Sequence, residues 1–251
     1  MPSGVPTQVG AMAATFSLAY LVIAVAAAVL LYYLVTYVRD VLSEPYRHRW
    51  WYVGTGIAAA GLYGVGGFLD VATDLSWLSL FTEGATLFFI LFLALGMRAM
   101  YFMRRGGSNA TRVVPRWVEY LVVVLFVVAW WAGFLSDRPR WVLAVETIGW
   151  VGASVYALGY AVRTVRAHEG TSIAAVTRHL FPAVLAFTAV GFAGIVGAYT
   201  GAYADVVVAV RVVGTVLVGA FLFTTAVAIR QQTGEVSRLY DPTTWQDPGR
   251  G

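Results

Sequence analysis

Glu83, Glu146 and Arg211 are the residues whose chemistry is hardest to reconcile with their surroundings, because each stands inside a long apolar run. VVAVRVVGTVLVGAFLF, residues 206–222, surrounds the arginine. A guanidinium keeps its proton at any pH a cell meets, and an ionised side chain facing hydrocarbon costs several kcal/mol. Counting 1.5 Å per helical residue sets Glu83 about 9 Å beyond Trp77, Glu146 about 7.5 Å beyond Trp141 and Arg211 about 9 Å beyond Asp205. Their helices start on the same side, so the three charges share one depth, and Arg211 is expected to bridge the two carboxylates. With both carboxylates ionised, one negative charge is left over for a proton or a cation. Two readings stay open: a salt bridge that only fixes helix order, and a site for an ion, a proton or a ligand. Tyr63, Trp150, Tyr199 and Thr215 are expected to line a small cavity beside it.

Other chemistry is scarce. The chain has no Cys, which excludes disulfides, thiolate metal sites and cysteine nucleophiles. His48, His168 and His179 each fall near arginines in expected loops, where a solvated histidine is the plain reading, and no intramembrane pair is left to hold a haem. There is no Gly-rich phosphate loop, HExxH motif or nucleophile elbow, so neither an enzyme nor a resident metal is expected.

The elements that must position these residues follow from composition. Of 251 residues, 59% are hydrophobic and 12% charged, which no ordinary soluble domain matches. A hydrocarbon core about 30 Å thick needs ~20 apolar residues per crossing. Seven segments satisfy this, about 11–37, 50–73, 75–103, 115–136, 141–167, 179–202 and 204–230, and predict an all-α polytopic membrane protein, a seven-helix bundle forming one domain over residues 1–230. The runs are too long and too uniform for barrel strands. Residues 231–251 are polar and read as a disordered tail, with a docking peptide as the alternative.

Arginines set the expected orientation. Arg39, Arg47, Arg49, Arg98, Arg104, Arg105, Arg112, Arg116, Arg163, Arg166, Arg178, Arg230, Arg238 and Arg250 fall on one side; Arg138 and Arg140 fall on the other, with Asp70, Asp74, Asp137 and Asp205. The positive-inside rule then puts the N-terminus outside and the C-terminus inside a multi-pass protein of the cell membrane. Trp50, Trp51, Trp77, Trp117, Trp130, Trp131 and Trp141 lie near expected boundaries, where an indole suits the interface. A net charge of +4 with no basic domain outside the bilayer points to anionic lipid rather than nucleic acid.

Two segments carry glycines at helical spacing: Gly54, Gly61, Gly64 and Gly67, then Gly191, Gly194, Gly197 and Gly201. Small residues three or four apart let transmembrane helices approach closely, and helix packing is the first reading, with a hinge or a homo-oligomer seam as alternatives. Pro182 is expected in the first turn of its helix, where proline is tolerated.

LLYYLVTYVRDVLSEPYRHRWWYVGTGIAAAGLY, residues 30–63, resembles the end of the first helix, the loop and the second helix of microbial opsins. RPRWVLAVETIGWVGASVYALGY, residues 138–160, is similar to their fifth helix. The resemblance implies seven helices with the N-terminus outside, yet the family's functional residues do not carry over. Laid on this chain, Thr215 takes the place of the retinal lysine and Arg211 that of the aspartate one turn earlier. Every basic side chain here is arginine and none is lysine, so a covalent retinal Schiff base is excluded. No cofactor is expected; a non-covalent retinoid or carotenoid is left undecided.

Three functions fit these readings. The first is a sensory or regulatory component with a cytoplasmic or membrane signalling partner. The second is a transporter or channel for protons, ions or a small solute. The third is a structural subunit of a membrane complex. If Arg211 holds the two glutamates together, Arg211→Ala lowers the melting temperature of the detergent-solubilised protein, and unchanged melting defeats the bridge.

Overall fold

Backbone in lipid has no water to bond, so each apolar run must satisfy its N–H and C=O groups internally, and helices do this within one segment. The computed structural model describes residues 5–41, 44–73, 75, 77–104, 115–136, 140–200 and 204–239. These form seven helices: α1 (Val5–Val41), α2 (Glu44–Ala72), α3 (Trp77–Arg104), α4 (Arg116–Leu135), α5 (Arg140–Ala167), α6 (Ser172–Thr200) and α7 (Ala204–Leu239). There is no strand among the described residues.

Five helices are long and apolar enough to cross a membrane, over Gly10–Thr36, Trp50–Ala72, Trp77–Phe102, Ile173–Gly197 and Ala204–Gln231. This makes the chain an all-helical membrane protein. In α4 the apolar stretch is the shorter Tyr120–Leu135. Along α5, Glu146, Thr147, Ser154, Tyr156, Tyr160 and Arg163 interrupt the apolar run.

Packing closes six helices into a ring. α1 packs on α2 and α7, α2 on α3, α3 on α5, α5 on α6 and α6 on α7; α4 lies outside, against α3 and α5. Below, "upper" means the end where α1, α3, α5 and α7 begin. Close contacts fix the register. Gly64 and Gly61 of α2 meet Ala24 and Ala27 of α1, and Gly56 and Gly96 link α2 with α3 through Leu93 and Val53. The interior is filled by Ile23, Leu30, Ile57, Phe89, Ile90, Leu93, Phe187 and Leu222, all fully or almost fully buried. Outward, Leu18, Val25, Leu62, Val124, Ile148, Val155 and Phe223 are exposed, an apolar surface suited to lipid.

The helices outrun the expected segments because hydropathy marks the hydrocarbon depth, whereas a helix continues through any sequence able to keep its ladder. α1 begins at Val5, α2 at Glu44 and α6 at Ser172, and α7 continues to Leu239. The first nine residues of the expected disordered tail, 231–239, are therefore helical; the rest of that expectation, 240–251, lies outside the described residues. An earlier start to α6 also moves Pro182 into the helix interior, where it cannot donate to the carbonyl of Arg178.

The lower end carries polar ties, one of them made by a histidine expected in a loop. His168 is buried, not solvated, and its Nε2 lies 3.0 Å from the carbonyl oxygen of Met100; that oxygen only accepts, so the ring nitrogen donates. One turn earlier, Thr164 Oγ1 donates to the carbonyl of Met97 at 2.8 Å. Arg98 is buried too, its guanidinium 5.6 Å from the centre of the Phe102 ring. His179, by contrast, is exposed on α6, and the side chain of His48 lies outside the described residues.

A methyl group on Gly64 would stand 2.6 Å from the Ala24 nitrogen and 2.7 Å from the Tyr20 carbonyl oxygen, both backbone atoms that side-chain rotation cannot move away. Gly64→Ala should therefore cost about 1–3 kcal/mol in thermal or denaturant unfolding. Gly152→Ala, where nothing lies within 4 Å, should cost nothing and serves as the control.

Candidate functional site

One cavity of about 120 Å³ opens in the upper half of the bundle, and its walls include Glu83, Glu146 and Arg211 together. Each arrives on a different helix near its upper end: Glu83 on α3, Glu146 on α5, Arg211 on α7. Tyr63 and Trp150 also line it, as do Thr82, Thr86, Thr147, Phe88, Phe126 and Trp130.

The charged groups are not sealed in the interior. Glu83 and Arg211 are exposed and Glu146 is half-buried, so the cavity opens around them. Long side chains favour this arrangement, since their stems cover apolar surface while the charged ends avoid full desolvation. The Arg211 guanidinium is close enough to Asp70 and Tyr63 to act on both electrostatically. Asp70, which the expected pairing of Arg211 with Glu83 and Glu146 left out, thus also feels the Arg211 charge.

Beneath the charges lies an ordered polar step. Thr215 Oγ1 donates to the carbonyl of Arg211 at 2.6 Å, and the buried Tyr63 ring stands edge-on to Tyr20, ring centres 5.3 Å apart. Thr215 itself is buried and is not part of the cavity wall. The side chain of Tyr199 lies outside the described residues. Below this level the space is shut by Phe89 and Phe187, whose ring centres are 4.2 Å apart, with Tyr63 edge-on to Phe187 at 5.3 Å.

Glycines shape the walls by making room for rings. An added Cβ would overlap the Trp130 ring at Gly84, the Phe126 ring at Gly149 and the Trp150 ring at Gly191. Gly191 therefore receives an indole rather than a helix backbone, while Gly197 meets Val207 at 3.2 Å in α7. Gly194 corrects the packing expectation: nothing lies within 4 Å of where its Cβ would stand, and the residue lines the cavity. Gly61 makes ordinary contact with Ala27, at 3.5 Å.

The sequence reading missed Thr82, Thr86 and Trp130. Thr82 and Thr86 lie one turn apart beside Glu83, a periodicity that puts them on its side of the helix; Trp130 was assigned to the interface and instead faces α3. Among the described residues no group of three His, Asp or Glu is placed to hold a metal ion. The arrangement offers charge complementarity, aromatic surface and hydroxyls, which are means of binding a small solute. Comparison with protein-family models, with curated proteins and with solved structures gave no match.

Gly191→Ala should displace the Trp150 ring from the cavity wall, shifting tryptophan fluorescence and costing about 1–3 kcal/mol of stability. Gly194→Ala, entering open space, should leave stability within experimental error.

Proposed function

We propose that this chain is an opsin-like seven-helix sensor without covalent retinal, set in the cell membrane with the N-terminus outside and the C-terminus inside. A small ligand or ion enters the cavity from the outer face. The inner ends of α3 and α5 then pass the change to a cytoplasmic or membrane partner. α4 and α5 cross the bilayer with the five more apolar helices, their polar side chains sheltered by the bundle.

The observation that carries this reading is a charged cavity at one end over an apolar floor. From Gly84 to Met97 in α3, and from Val212 to Ile229 in α7, no side chain is Asp, Glu, Lys, Arg or His. A transported proton or ion would meet the closely spaced, mutually tilted rings of Phe89 and Phe187 and find no ionisable side chain along these stretches of α3 and α7, which favours sensing over conduction. At the far end the Met97–Thr164 and Met100–His168 hydrogen bonds join the same two helices that carry Glu83 and Glu146. Occupation of the cavity is thereby linked, through two rigid helices, to a polar contact at the opposite face.

The absence of native cysteine makes orientation directly testable. A membrane-impermeant maleimide should label Ser136→Cys in intact cells and Gln231→Cys only after permeabilisation; the reverse pattern defeats the orientation. Signal transfer is tested by filling the cavity from Gly194. Gly194→Leu should change amide hydrogen exchange at residues 97–100 and 164–168. Unchanged exchange there favours a structural subunit, and proton or ion flux into proteoliposomes that is lost in Glu83→Gln favours a transporter.

A further inference from the structure

We propose that the outward face of α5 holds one anionic phospholipid of the lower leaflet, its phosphate on Arg163 and Arg166 and one acyl chain along the helix above them. This site is separate from the upper cavity and independent of the sensing reading. With 3.6 residues per turn, Ile148, Gly152, Val155, Gly159, Arg163 and Arg166 fall on one stripe about 80° wide. All six are exposed. The polar side chains that α5 turns to its neighbours lie elsewhere on the helix: Thr164 bonds Met97 of α3, and Ser154 accepts from Thr188 of α6 at 3.3 Å.

Depth follows from the same ties. Thr164 and His168 bond the carbonyls of Met97 and Met100, which lie near the lower end of the membrane-crossing stretch Trp77–Phe102. Arg163 and Arg166 flank Thr164, and so stand where hydrocarbon gives way to headgroups. From Gly152 to Arg163 the helix rises about 16 Å, close to the ~15 Å that one leaflet contributes to the hydrocarbon core. Nothing lies within 4 Å of where a Cβ would stand on Gly152 or Gly159, which leaves a shallow trough between exposed Val155 and half-buried Tyr156. An acyl chain fits that trough, and its phosphate then meets the arginines.

The two guanidiniums are free to take an anion. Arg163 is held 5.4 Å from the centre of the buried Tyr160 ring, which positions it without neutralising it, and Arg166 follows three residues later on the same face. Neither arginine has a carboxylate partner among the described residues. Glu169, the one carboxylate of this end whose side chain is described, pairs with Arg178 at 3.8 Å. The side chains of Asp40, Glu44, Glu119, Glu235, Asp241 and Asp247 lie outside the described residues. Arg98, buried against Phe102, has contacts of its own. Paired guanidiniums match the oxygens of a phosphate. A second copy of the chain suits the stripe poorly, because a two-fold axis along the membrane normal would bring like charges together at one depth.

Native mass spectrometry of the delipidated full chain in detergent tests this by competition between phosphatidylglycerol and phosphatidylcholine. Phosphatidylglycerol should be retained about twentyfold better. Arg163→Gln and Arg166→Gln should each lower that preference about fivefold, and the double variant should abolish it. Arg230→Gln, the same change at an exposed arginine of α7, should leave it intact. Gly159→Leu fills the trough and should weaken both lipids without changing their ratio, with thermal unfolding verifying that each variant is folded. Equal retention of the two lipids by the unaltered chain overturns the proposal, as does a preference that survives the double variant or falls equally in Arg230→Gln. Displacement of phosphatidylglycerol by millimolar inorganic phosphate, or retention unchanged by Gly159→Leu, overturns the acyl-chain assignment. Efficient disulfide cross-linking between copies carrying Gly152→Cys makes a second copy the occupant and overturns the lipid.

Discussion

An arginine inside a bilayer cannot escape its charge by losing a proton, and the upper half of this bundle is organised around that restriction. Arg211 is kept accessible rather than sealed, and carboxylates from α2, α3 and α5 gather near it. Once those charges are close, the helices carrying them can pack neither at random nor with a dry interior at that level. An open cavity is the result. Its floor begins where the last hydroxyls, on Tyr63 and Thr215, give way to Phe89 and Phe187.

Lipid offers no hydrophobic reward for bringing helices together, so shape has to supply the attraction. This chain uses glycine in two ways. Gly64 allows α1 and α2 to touch backbone to backbone. Gly84, Gly149 and Gly191 instead form notches that accept Trp130, Phe126 and Trp150, and so turn large rings into cavity wall without pushing the helices apart. Two of these rings belong to α4, which stands outside the closed ring of helices and touches only α3 and α5. An outer helix thus completes the site that the ring leaves open.

The helical class, the approximate positions of the apolar segments and the meeting of Glu83, Glu146 and Arg211 in one cavity were legible from spacing, because helix rise converts sequence position into depth. Depth says nothing about direction around the helix axis. That is why Asp70 was missed beside Arg211, and why Thr215 was expected in the wall but lies behind it. Helix ends were misjudged for a related reason. Hydropathy reports where lipid stops, whereas Ser172, Arg178 and the residues to Leu239 continue helices past that point, carrying Pro182 into an interior position. His168 looked like a loop residue beside arginines; only its tertiary contact with Met100 shows it buried.

The two polar levels of the bundle differ in kind. At the lower level the Met97–Thr164 and Met100–His168 bonds join α3 to α5 side by side, with little room to vary. At the upper level the same two helices bring Glu83 and Glu146 to the wall of a cavity that α7 reaches with Arg211. The apolar pair of Phe89 and Phe187, ring centres 4.2 Å apart, lies between the two levels.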